Sequence, residues 1–110
     1  MKIKKKGKLL KIYISENQKY KRKPLFHVIV EKAKEEDLEE ITVYRGIEGL
    51  GTDKKIHTSH ILTLSDDLPI VLELIDSEKK IHQFLDILDD IIKEGLVIIT
   101  DDIEIIQYSK

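Results

Sequence analysis

The 110-residue chain has no cysteine, no tryptophan, one methionine, two prolines and five glycines. Without cysteine there is no disulfide scaffold, no thiolate nucleophile and no Cys-type zinc or iron–sulfur site. Aromatics are sparse, with two Phe and four Tyr, so a core must come from aliphatic side chains. No apolar run is long enough, and free enough of charge, to span a bilayer, so no membrane insertion is expected. The basic start is followed by no apolar stretch with a small-residue cleavage site, so no secretory leader is expected either. A cytoplasmic protein is the expectation. The length suits one two-layer core. No internal repeat or low-complexity linker breaks it, which predicts a single domain over residues 1–110.

Charge is what the sequence has in quantity: 36% of residues carry it, with a net value of -2. That small number hides a strong asymmetry. Residues 1–23 hold ten Lys/Arg against one acid, Glu16, while the remainder holds nine against twenty Asp/Glu. A basic arm can meet nucleic acid or an acidic membrane. Here no aromatic or Gly-rich recognition pattern interleaves the lysines, so they are read as flanking and solubilising a strand, and nucleic acid is not expected as a partner. Abundant Lys, Glu and Ile also suit a heat-adapted, thermostable protein.

Residues 7–14 read as a first strand, with Leu10, Ile12 and Ile14 on one face. Residues 15–22 are polar and read as a loop. Pro24 suits the first position of a helix, and Leu25, Phe26, Ile29, Val30 and Ala33 mark its buried face. Residues 41–45 predict a second strand, followed by a loop punctuated by Gly46, Gly49 and Gly51. Residues 57–64 are ambiguous between a short strand and a turn, and Ser65-Asp66-Asp67-Leu68-Pro69 is a turn. Residues 70–75 predict the most apolar strand. Ser77 is a candidate N-cap with Glu78 at the positive end of the helix that follows. Ile81, Phe84, Leu85, Leu88, Ile91 and Ile92 mark that helix, and Gly95 predicts a left-handed stop. Two strand pieces, 96–100 and 103–108, close the chain around Asp101-Asp102. The order β-α-β-β-α-β predicts an α+β, ferredoxin-like split βαβ fold, an antiparallel sheet with two helices on one face. The opposite face should be polar, yet Ile70, Val71, Leu72, Leu74 and Ile75 put apolar groups on both faces, and Ile103, Ile105 and Ile106 do so again. An oligomer that covers the helix-free face is the economical solution.

Thr42-Val43-Tyr44-Arg45-Gly46-Ile47-Glu48-Gly49-Leu50-Gly51, with Ile56-His57-Thr58, Leu64-Ser65-Asp66-Asp67-Leu68-Pro69, Glu73-Leu74-Ile75-Asp76 and Glu94-Gly95-Leu96-Val97, resembles the family called domain of unknown function 190. Leu9-Leu10-Lys11-Ile12-Tyr13-Ile14 and Lys23-Pro24-Leu25-Phe26 match as well. The resemblance covers about residues 8–108 and leaves residues 1–7 as a basic N-terminal extension. It implies a PII-like protein, sharing its fold and homotrimeric habit with PII nitrogen-signalling proteins and copper-tolerance trimers. In PII proteins a long loop between the second and third strands carries signalling, and adenine nucleotides sit in intersubunit clefts at its base. Gly49-Leu50-Gly51 followed by Lys54, Lys55 and His57 is similar to that loop base. Two features depart from PII: the loop lacks the uridylylated tyrosine, and Lys93-Glu94-Gly95-Leu96 is too short for the basic, glycine-rich phosphate loop.

Several residues could carry chemistry. Gly46, Gly49 and Gly51 could turn with positive φ and offer N–H groups to an anion, helped by Arg45, Lys54 and Lys55; a flexible hairpin tip with solvated lysines is the plainer alternative. His57 and His60 could share a metal on a helical turn but would face opposite sides of a strand, and His27 and His82 offer no third ligand in register. Glu73 sits among apolar residues and calls for a cation, from Arg45 across the hairpin or from a neighbouring subunit. Ser65, Asp66 and Asp67 with a histidine lack a nucleophile elbow, and turn chemistry accounts for them. The expected function is therefore non-enzymatic: a PII-like trimeric signalling or regulatory protein that binds a small anionic ligand, an adenine nucleotide for example, through Arg45, Gly46, Gly49, Gly51, Lys54, Lys55, His57 and Glu73. No cofactor is assigned. The loop 46–57 is expected to be mobile until a ligand orders it and so to govern docking of a protein partner. The alternatives are a divalent-metal trimer using His57 or His60 and a phosphate-handling enzyme using Lys54, Lys55 and Glu73.

Overall fold

A computed structural model of the chain describes residues 1–51, 53–58 and 67–110. Four main strands, β1 (Lys2–Ser15), β4 (Glu40–Arg45), β7 (Pro69–Asp76) and β8 (Leu96–Tyr108), form one sheet in the order β4-β7-β1-β8. Every neighbouring pair is antiparallel. Two helices, α1 (Leu25–Glu35) and α2 (Glu78–Ile91), cross over one face. This is the expected ferredoxin-like α+β arrangement. Short pairs complete it: β2 (Lys19–Tyr20) with β3 (Lys23–Pro24), and β5 (Glu48–Leu50) with β6 (Ile56–Thr58). Among the described residues no helix is long and apolar enough to cross a membrane.

The period-2 and period-3.6 patterns meet in one core. Leu10, Ile12 and Ile14 of β1 and Ile70, Leu72 and Leu74 of β7 face Leu25, Val28, Ile29 and Ala33 of α1 and Ile81, Phe84, Leu88 and Ile91 of α2. Burying each large side chain contributes roughly 1.5–3 kcal/mol. The oxygen of Ser77 accepts from the N–H of Lys80 at 3.3 Å, so the expected N-cap of α2 is in place. Pro24 is the residue before α1 rather than its first member, and it supplies no side-chain cap. α1 stops where Asp37 turns left-handed (φ 56°), with Leu38 N–H donating to Ala33 O at 3.0 Å and Asp37 N–H to Lys34 O at 3.1 Å. That paired closure satisfies the last carbonyls without glycine. α2 ends at Ile91, before Gly95. Gly95 has a positive φ of 144°, but it turns the connection into β8 instead of stopping the helix. Asp76 is the one buried ionisable side chain among the described residues, and its two oxygens accept from Ser77 N–H at 2.6 Å and Glu39 N–H at 2.8 Å.

β1 begins at Lys2, five residues earlier than the expected strand, so the lysine-rich start is itself strand. The two expected final strands are one strand with a bulge: Gly7 pairs with Ile103 and Leu9 with Thr100, leaving Asp101 and Asp102 opposite Lys8 alone. Asp102 takes a left-handed φ of 53° there. The Lys8 ammonium lies 2.5 Å from Asp101 and 3.8 Å from Glu78, and the Asp101 hydrogen bond raises its pKa above the usual lysine value. β7 stops at the Lys8–Asp76 pair, so residues 2–7 and 103–108 continue as a two-stranded ribbon. The molecule measures 47 × 28 × 24 Å.

The helix-free face carries three cross-strand rows: Tyr44-Val71-Tyr13-Leu96, Thr42-Glu73-Lys11-Ile98 and Glu40-Ile75-Leu9-Thr100. Tyr44, Tyr13, Leu96 and Ile98 are exposed on it. The apolar second face read from the sequence is therefore present.

Candidate functional site

A cleft of about 620 Å³ opens where the C-terminal end of β1 meets the β5–β6 hairpin and the turn before β8. One wall is Tyr13, Ile14 and Leu96, and another is Leu50 with Gly49 and Gly51. Lys54, Asp53, His57, Asp67 and Gln18 add the polar groups.

Local chemistry sets these positions. Gly95 fits against β1 because a Cβ there would lie 2.6 Å from the carbonyl oxygen of Tyr13. Gln18 ties the two ends together. Its Oε1 accepts from Ser15 N–H at 2.7 Å, and its Nε2 donates to the Glu94 carbonyl at 2.9 Å. Asp67 Oδ1 accepts from Asn17 N–H at 2.9 Å, and Glu16 N–H donates to Leu68 O at 2.8 Å. In the hairpin tip, Lys54 N–H donates to Gly51 O at 3.0 Å and Lys54 itself is left-handed (φ 62°). Asp53 Oδ1 accepts from Lys55 N–H at 3.0 Å, while its Oδ2 lies 2.8 Å from His57 Nε2. The Lys55 N–H and then His57 hold the Asp53 carboxyl below the usual carboxylate pKa. Among the described residues no carboxylate pairs with the Lys54 ammonium.

The expected ligand-binding residues divide into two groups. Gly49, Gly51, Lys54 and His57 line the cleft. Arg45, Gly46, Lys55 and Glu73 do not. The glycine reading needs correction: among the described residues only Gly95 is a glycine with positive φ. Gly46 and Gly49 instead clear room for Pro69, whose Cγ would lie 2.8 and 2.9 Å from a Cβ at each. The glycine-punctuated loop is also partly a hairpin, with Glu48↔Thr58, Gly49↔His57 and Leu50↔Ile56 paired.

Glu73 is corrected as well. Strand alternation puts it on the helix-free face, whereas Arg45, opposite buried Ile70, lies in the other phase. Arg45 grips Glu16 with its Nε at 2.8 Å and Nη2 at 3.1 Å. Glu73 lies 3.5 Å from the Lys11 ammonium and accepts a hydrogen bond from Tyr44, which raises the Tyr44 pKa above its ordinary value. Its side chain is half-buried rather than buried. Among the described residues no three potential ligands gather around a metal position. His27 and His82 face Glu31 and Glu78 on their own helices. His60, Ser65 and Asp66 lie outside the described residues, as does most of the ambiguous stretch 57–64, of which residues 57 and 58 belong to β6.

Tyr13, Gln18, Asp53 and Leu96 were not singled out as site residues. Only topology brings them together, since β1, the hairpin and the 94–96 turn are far apart in sequence. Gly95 alone left a signal, its need for positive φ.

The comparisons agree with the fold. A UPF0166 protein of Aquifex aeolicus (strain VF5) is 40% identical over 101 residues, covering 92% of this chain and 94% of that protein. A UPF0166 protein of Methanocaldococcus jannaschii is 38% identical over 97 residues, covering 87% and 89%. Among solved structures, the nitrogen regulatory PII-like protein CPII of Thiomonas intermedia K12, bound to ADP, AMP and bicarbonate, superposes with a TM-score of 0.66 at 16% identity, covering 94% of this chain and 91% of that one. At that identity the likeness speaks for the fold, which is PII-like. The model of the uncharacterised family DUF190, described as "Uncharacterized ACR", matches residues 7–105, and the chain belongs to that family.

Proposed function

We propose that this chain is a PII-like regulatory protein without catalytic activity, that it assembles as a homotrimer through the helix-free sheet face, and that it holds a small anionic ligand in the cleft beneath the hairpin. An adenine nucleotide is the first candidate. The observation that carries this is the pairing of an apolar wall, Tyr13, Ile14, Leu50 and Leu96, with the Lys54 ammonium, which no described carboxylate neutralises. A flat heterocycle suits the wall, and a phosphate or carboxylate suits the cation. That CPII was solved with ADP and AMP bound supports testing these ligands first. Ligand contacts to Lys54 would draw the hairpin onto the β1 end and change the surface that a protein partner meets.

Calorimetric titration with ATP, ADP, AMP and divalent metal ions, each alone, tests the proposal. A nucleotide should bind, and Lys54→Ala should weaken it by about tenfold, the loss of one charge-assisted contact. Binding of metal alone, or turnover of a nucleotide, would overturn it. Light scattering near the 12.8 kDa monomer mass at micromolar concentration would remove the trimer.

A further inference from the structure

The helix-free face continues past the end of β7. Strand phase decides what it carries there. In β8, Leu96, Ile98 and Thr100 share the face of Leu9, Lys11 and Tyr13. Uninterrupted alternation would turn Ile103 and Ile105 to the helix side. The extra residue at Asp101-Asp102 reverses the phase, so Ile103 and Ile105 pair with Gly7 and Lys5 on the helix-free side. Ile3 lies on the same side, opposite Gln107. Gly7 serves this arrangement, since a Cβ there would lie 2.5 Å from both the Asp76 carbonyl oxygen and Ile105 Cδ1. The other side of the ribbon is different in kind. It holds Lys2, Lys4 and Lys6, opposite Tyr108, Ile106 and Glu104, with the Lys2 ammonium 5.9 Å from the Tyr108 ring centre. The tip is closed by the Met1 ammonium donating to Ser109 O at 2.6 Å and Ser109 N–H donating to Met1 O at 2.9 Å.

We propose that this ribbon, residues 2–7 with 103–108, is an arm that extends the self-association face onto a second copy of this chain, seated by Ile3, Ile103 and Ile105. The inference rests on assembly through the helix-free face and adds to it the contact surface of the arm. A two-stranded ribbon outside a sheet is only marginally stable in water, so a covering surface is expected. Charge selects the occupant. The arm carries Lys2, Lys4, Lys5 and Lys6 against Glu104 alone, and the rest of the chain carries fifteen Lys/Arg against twenty Asp/Glu, so a second copy attracts it. The same acidic body repels a polyanion that would use the lysine row.

Adjacent residues on opposite sides of the arm give the test. Ile105→Lys and Ile106→Lys are compared with the unaltered chain by light scattering over a dilution series, with circular dichroism confirming the fold. Ile105→Lys should raise the concentration of half-dissociation by about tenfold or more, the effect of losing one buried isoleucine. Ile106→Lys should change it by less than about threefold, as a surface change does. Should Ile105→Lys not fold, Ile105→Ser replaces it with the same expectation. Equal effects from both positions, or none from either, overturn the arm. Ile98→Lys, in the middle row of the sheet face, separates the two ideas. If it dissociates the assembly while Ile105→Lys does not, the arm fails and the sheet interface stands. An unaltered chain that stays monomeric overturns both.

Discussion

Gly46 and Pro69 offer a direct test of why glycines punctuate the segment after β4. A Cβ on Gly46 would meet Pro69 Cγ at 2.8 Å and Pro69 O at 3.4 Å. The two residues cannot simply part, because Gly46 N–H donates to Pro69 O at 2.8 Å and the next pair along, Arg45↔Ile70, is in register. Gly46→Ala must therefore push the proline ring by several tenths of an ångström within a fixed ladder. Overpacking of that kind costs about 1–3 kcal/mol. The alanine recovers about 0.4–1 kcal/mol by stiffening the unfolded chain, since Gly46 is not in the left-handed region. The net expectation is a loss of about 1–2 kcal/mol. In a Pro69→Ala background the ring is gone and the gain from the unfolded chain remains, so Gly46→Ala should become neutral to stabilising by up to about 1 kcal/mol, a coupling of about 1 kcal/mol or more. Urea unfolding of the four proteins, with slopes compared, measures it. The same cost in both backgrounds would refute the packing argument.

Three further outcomes are expected. Ser77→Ala removes the acceptor for Lys80 N–H and should cost about 1 kcal/mol in urea unfolding. Glu73→Gln removes the anion that disfavours tyrosinate beside it, so the Tyr44 ring should ionise at lower pH than in the unaltered chain, read from its NMR shifts. The Asp53 carboxyl is lowered by folding, so what it contributes to the hairpin tip is complete above the ordinary carboxylate range and lost as pH falls through the lowered value. Protection of the Lys55 amide, its exchange relative to the intrinsic rate, should fall on that acid limb, and Asp53→Asn should abolish this dependence.

The sheet and helices were legible because each rests on a local pattern that the core then used unchanged. Leu10, Ile12 and Ile14 alternate, and Ile81, Phe84, Leu88 and Ile91 recur at helical spacing; all seven are buried. What the pattern missed depends on partners distant in sequence. Residues 2–6 read as a solvated basic stretch, but β8 pairs with them and makes them strand. Asp101-Asp102 read as a break, because a bulge looks like a break until the opposite strand is known. α1 closes on Asp37, where the tertiary contact of Leu38 with the core offsets the cost of a left-handed residue that is not glycine.

The site was less legible than the fold, and the reason is phase. Arg45 and Glu73 are opposite charges on neighbouring strands, and a sequence offers them to each other. A strand sorts its side chains by parity first, and distance matters only within one face. Thr42 is the residue across from Glu73, and its face-mates in that row are Lys11 and Ile98. Arg45, in the opposite phase and three places along, reaches Glu16 just past the end of β1. The two cations thus serve different parts of the molecule. Lys11 offsets the one carboxylate in the middle of the face proposed for assembly, and Arg45 anchors the β1 end beside the cleft. Removing either would register in a different assay: Lys11→Met should alter association, while Arg45→Met should loosen the Glu16 end of β1. Charge count treats these lysine and arginine residues as equivalent, but strand parity gives them separate work.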